Sequence, residues 1–167
     1  MDFSASERGT DVPPIANVVP VEQMAGDDEE DTTFLQEMLE DAKRYVLSFP
    51  WCDTIEKAYF AGGVGKIFAV FLFKITSRNP DVPSWEWIIV GDIPPAYIPL
   101  EDCRLPREVF ETYIDGMRRW VEIVREGREP APEDCVPPIN VPATTEWAEN
   151  LSGRLRLLVE LIQPHFS

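Results

Sequence analysis

With 30 Asp and Glu against 15 Lys and Arg in 167 residues, the chain carries a formal charge of −15, which repels phosphates and excludes direct binding to nucleic acid or to an anionic membrane surface. Its length suffices for one buried core without disulfide or metal support. The cysteines Cys52, Cys103 and Cys135 are widely spaced and form no Cys-x-x-Cys pair, which suits reduced thiols rather than a disulfide framework.

The charge is uneven. Residues 1–31 hold nine acids and one arginine and end in the run Asp27-Asp28-Glu29-Glu30-Asp31. They are expected to form an acidic tail, disordered or docked on a partner, ahead of a single α+β domain over residues 32–167. Val12, Ile15, Val18, Val19, Val21 and Met24 give that tail enough apolar surface to lie in a groove. No basic stretch followed by an apolar one opens the chain, and no apolar run is long enough for a membrane helix. A soluble, cytoplasmic protein is therefore expected.

Thr33-Phe34-Leu35-Gln36 fits a capping box. Phe34, Leu35, Met38, Leu39, Ala42, Tyr45 and Val46 recur at helical spacing, which predicts an amphipathic helix to about Leu47, stopped at Ser48-Phe49-Pro50. Ile55 to Ala61 reads as a strand and Gly62 to Gly65 as a turn. The run from Lys66 to Ile75 is apolar between its two lysines. An unbroken β-branched and aromatic run marks a central strand covered on both faces. Thr76 to Ser84 is a polar loop, and Trp85 to Val90 a third strand closed by Gly91-Asp92. Short connections allow only antiparallel pairing, so the sheet is expected to be a three-stranded meander.

Ile93 to Leu105 is rich in proline and reads as an extended connection. Pro106 fits the first position of a helix, whose apolar stripe runs from Val109 to Val124 with Gly127 as C-terminal cap. Arg128 to Ala143 is again proline-rich. Thr144 or Thr145 caps a last helix to Ile162, with Trp147, Leu151, Leu155, Leu158, Val159 and Ile162 as its buried stripe. The order is α-β-β-β-α-α. Its α-β-β-β-α opening resembles that of small acidic chaperones of bacterial secretion systems, without a shared motif. Those chaperones usually add two strands where this chain has a proline-rich segment.

No motif carries catalysis. Gly62-Gly63-Val64-Gly65-Lys66 lacks the P-loop spacing, has Ile67 where Ser or Thr would hold magnesium, and precedes a strand. A hairpin turn explains it better. His165, the only histidine, stands near the end of the chain and lacks a partner pair for nucleophilic catalysis or zinc. Glu86 and Asp92 are the carboxylates of most interest, because Glu86 lies between Trp85 and Trp87 and an apolar pocket would raise its pKa. Alternation gives a simpler account, with the tryptophans facing one way and Glu86 the other. Pro94-Pro95-Ala96-Tyr97 matches a Pro-Pro-x-Tyr pattern, but inside the domain it would hold the crossover extended with Tyr97 packed inward. No cofactor, metal ligand or catalytic residue is expected.

These features point to a non-catalytic protein-binding domain, concretely an immunity or inhibitor protein that neutralises a basic protein partner. A chaperone for a secreted protein is the alternative, followed by an enzyme with a carboxylate-based or metal-dependent site. The expected contact residues are Asp27, Asp28, Glu29, Glu30 and Asp31, which would steer a cationic partner, with Trp51, Trp85 and Trp87 as aromatic anchors. A monomer or a homodimer would serve.

Overall fold

The computed structural model describes residues 17–131, 134 and 141–166. Most of the 1–31 segment, Cys135 and much of the second proline-rich crossing lie outside them. The first helix, α1 (Glu29–Leu47), starts earlier than the threonine box predicts. Asp28 is its cap, accepting from the Asp31 N–H at 2.8 Å, while the Thr33 hydroxyl donates back to the Glu29 carbonyl at 3.0 Å. Aspartate caps at least as well as threonine, and acids in the opening turn suit the positive end of the helix dipole. The acidic run is therefore built largely into the helix.

Five antiparallel strands stand in chain order: β1 (Val19–Pro20), β2 (Thr54–Val64), β3 (Phe68–Thr76), β4 (Trp85–Gly91) and β5 (Ala96–Pro99). The apolar run is the central strand, as expected. The three-stranded meander is corrected by two short edge strands, β1 opposite Tyr59 and Phe60 and β5 opposite Glu86 to Ile89. β5 sits in the proline-rich segment expected to be an extended connection, and β1 in the segment expected to be an acidic tail. Proline is tolerated there because an edge strand leaves one side of its backbone unpaired.

The β2–β3 hairpin turns at residues 65–67, so Gly62 and Gly63 belong to the strand. A side chain on Gly63 would meet the Phe68 carbonyl oxygen at 2.5 Å, so glycine is needed for that close approach. The Asp31 carboxylate accepts from the Gly65 N–H at 2.7 Å, and Lys66 lies 4.0 Å over the Phe34 ring. The start of α1 thus clamps this turn.

Alternation along β3 sorts the core into two halves. Ala69, Phe71, Phe73 and Ile75 face α1 and its Leu35, Met38, Leu39, Ala42 and Val46. Phe68, Val70 and Leu72 face α2 (Pro106–Arg125) and α3 (Thr145–Leu161). Pro106 opens α2 as expected. Gly127, at φ 83°, closes it, with its N–H bonded to the Val124 carbonyl at 2.9 Å and the Arg128 N–H to Ile123 at 3.2 Å. The hydroxyl of Thr144 caps α3. Trp147 departs from the predicted stripe and is 38% exposed, while Ala148 takes the inward position. After α3, Phe166 stacks on Phe110 at 5.5 Å and locks the end of the chain against the sheet. The result is three layers, with helices on both faces of an antiparallel sheet. No helix among the described residues is long and apolar enough to cross a membrane.

Candidate functional site around Glu86

Strand β4 places Trp85, Trp87 and Ile89 towards α2 and α3, and Glu86, Ile88 and Val90 towards α1. The predicted alternation holds. Because helices cover both faces, however, Glu86 does not reach solvent: it is 2% exposed and the only buried charged or polar residue among those described. Its Oε1 has no hydrogen-bond partner. Burial pushes the carboxyl up to about 8, with the negative charges of Asp102 and Glu101 adding to the shift. Near neutral pH it therefore holds its proton.

On the α1 side of the sheet, towards which Glu86 points, lies a cluster of aromatic rings drawn from three segments. Tyr45 ends α1, Phe49 and Trp51 follow it, and Tyr97 comes from β5, opposite Ile88. Phe49 stacks on Trp51 at 5.2 Å, and Trp51 and Tyr97 lie 5.0 Å apart. Tyr45 meets Phe49 edge-on at 5.1 Å. All four rings are half-buried, whereas Asp53, Glu101 and Asp102 beside them are exposed. The Trp51 indole serves the Tyr97 hydroxyl, and burial raises the Tyr97 phenol above its ordinary value, with Glu86 adding to the shift. Burial also raises the Cys52 thiol, followed by the charges of Asp53 and Glu86. Such a thiol is a poor nucleophile. Its Sγ faces the Thr54 carbonyl at 3.7 Å.

The sites expected from sequence are not brought together. Asp27 to Asp31 sit at the far end of α1 from Tyr45, roughly 25 Å away at 1.5 Å per helical residue. Asp28 and Asp31 already serve backbone N–H groups within the fold. Trp87 is fully buried, with its indole donating to the Cys103 carbonyl at 2.7 Å, so it cannot anchor a partner. Trp85 is half-buried against Tyr59 on the opposite face. Trp51 alone of the three tryptophans joins the cluster. Asp92 lies at the other end of β4, facing Arg154 at 3.7 Å, and does not meet Glu86.

Tyr45, Phe49 and Tyr97 are the members that the sequence reading did not select for contact. The phenylalanine beside Trp51 in Phe49-Pro50-Trp51 was the available signal, and Tyr97 was expected to pack inward. No group of three or more metal-ligating side chains occurs among the described residues, and His165 stands near Leu105, Pro106 and Phe166, towards α2 rather than beside Cys52. No protein-family model matches the chain, and neither does any curated protein or solved structure.

Proposed function

We propose that the protein is a non-catalytic binding domain of the immunity or inhibitor type, which neutralises a basic protein partner in the cytoplasm. One observation supports this most: a half-exposed cluster of Tyr45, Phe49, Trp51 and Tyr97 bordered by the exposed carboxylates of Asp53, Glu101 and Asp102. Large rigid rings supply contact area at little entropic cost, and tryptophan and tyrosine dominate interface hot spots. The carboxylates favour a cationic surface opposite and speed its approach. Asp27, Glu29 and Glu30 add long-range attraction without touching the same patch.

The test is recovery of the tagged chain from its native cells at low and moderate salt, alongside Trp51→Ala. A stoichiometric basic protein bound by the wild type, weakened by salt and lost with Trp51→Ala, is expected. Recovery of the chain alone at low salt would overturn the proposal. The proton on Glu86 also supports a second reading, a carboxylate-based enzyme, since a group titrating near 8 can act as a general acid. Any turnover found in a substrate screen and abolished by Glu86→Gln would favour that reading.

A further inference from the structure

We propose that Glu86 is the seat for one cationic side chain of the bound partner, an arginine or lysine entering beside Trp51 and Tyr97, and that Glu86 releases its proton as the cation arrives. This inference rests on the protein-binding reading and adds the chemistry that the site selects.

Three independent features converge. The carboxyl is 2% exposed with an unpartnered Oε1, a condition that penalises the unbound fold and that an incoming donor would relieve. Tyr97, which feels its charge, packs 5.0 Å from Trp51, and ring faces attract guanidinium and ammonium groups. No cation within the described fold answers it. The titratable groups that act on Glu86 or feel its charge are Cys52 from the loop after α1, Tyr97 from β5, and Glu101 and Asp102 from the turn that follows, all neutral or acidic. Asp53, beside Cys52, is already faced by Arg78 at 3.8 Å. On β3 the neighbour of Glu86 is Phe73, while Lys74 projects to the opposite face and holds Glu56 at 3.6 Å.

The proton balance is simple. The neutral carboxyl and the cation combine to give an ion pair, and one proton leaves to solvent. An ionised carboxylate is costly in this setting without a counter-ion, and the incoming cation removes that cost. Release of one proton ties affinity to pH. Between the values at which bound and free Glu86 titrate, each unit of rising pH should tighten binding about tenfold; above the free value, affinity should level off.

The test uses the full chain with acetyl-Gly-Arg-Gly-amide and its citrulline counterpart, which keeps the shape but not the charge. Two NMR signals are followed from pH 6 to 9, the Trp51 indole N–H and the Glu86 side-chain carboxyl carbon. The arginine peptide should shift the indole, bind about tenfold more tightly at pH 7 than at pH 6, and move the Glu86 titration downward. Glu86→Gln should remain folded and lose the pH dependence. Equal response to the citrulline peptide, no response to either, or an affinity unchanged by pH or by Glu86→Gln would overturn the seat. If native cells still yield a partner lost with Trp51→Ala, the protein-binding reading survives that failure. If they yield none, both fall.

Discussion

Replacing Glu86 with glutamine removes the ionisation but keeps a polar group of similar shape at the same buried position. In the native protein this carboxyl titrates near 8, against an ordinary value of 4.5. Between those values the folded chain holds a proton that the unfolded chain has lost, so stability falls as pH rises and the full penalty is present above 8. One pKa unit corresponds to about 1.4 kcal/mol, so the difference amounts to roughly 4–5 kcal/mol, a large share of the ~5–15 kcal/mol that holds a domain together. Urea unfolding of both proteins, followed by tryptophan fluorescence at pH 5, 7 and 9, measures it. The other carboxylates affect both chains alike, so the difference between them isolates Glu86. Glu86→Gln should lie close to wild type at pH 5 and gain on it steadily, being several kcal/mol more stable at pH 9. In melting experiments the gain should be on the order of 10 °C. Stability curves that stay parallel from pH 5 to 9 would refute the buried, protonated carboxyl.

The same unfolding assay tests three other contacts. Asp31→Ala removes the acceptor for the Gly65 and Asp27 N–H groups and should cost about 1–3 kcal/mol, whereas Glu30→Ala should stay within about 0.5 kcal/mol of wild type. Equal effects would mean that the acidic run acts through charge alone. Trp87→Phe leaves the buried Cys103 carbonyl without its 2.7 Å donor and should also cost about 1–3 kcal/mol; an unchanged midpoint would contradict the bond. Gly91→Ala, at φ 150°, drives a methyl group into the Ile67 carbonyl and should destabilise by more than about 1 kcal/mol. Cys52 and Cys103 are buried and their thiols are raised, in both cases chiefly by burial. Mass spectrometry after a brief maleimide pulse at pH 7 should find both unlabelled until denaturant is added; rapid labelling of either would show its thiol to be accessible.

The central strand was legible because nothing interrupts Ile67 to Phe73, and only a strand covered on both faces tolerates such a run. That inference also bears on β4. If helices cover both sides of β3, the strand beside it is covered too, and turning Glu86 away from Trp85 and Trp87 moves it into a second core rather than into water. Alternation alone puts Glu86 on the face opposite the tryptophans and does not say what covers that face. The edge strands were illegible for a different reason. Pro99 lies in a segment expected to be an extended connection and Pro20 in the expected acidic tail, and only the unpaired side of an edge makes these prolines acceptable in a strand. Trp51 was visible as a loop aromatic, but its companions come from the end of α1 and from β5, and no spacing rule joins positions 45, 51, 86 and 97. The acidic run was visible as charge, while its role in capping α1 and gripping the Gly65 turn depends on where that turn lies in space.

Hydrogen–deuterium exchange on the chain with and without its captured partner tests most directly where binding occurs. The aromatic corner predicts slowed exchange over residues 45–53 and 96–102, with little change at 27–31. Protection confined to the start of α1, or to the outer face of α3, would contradict it.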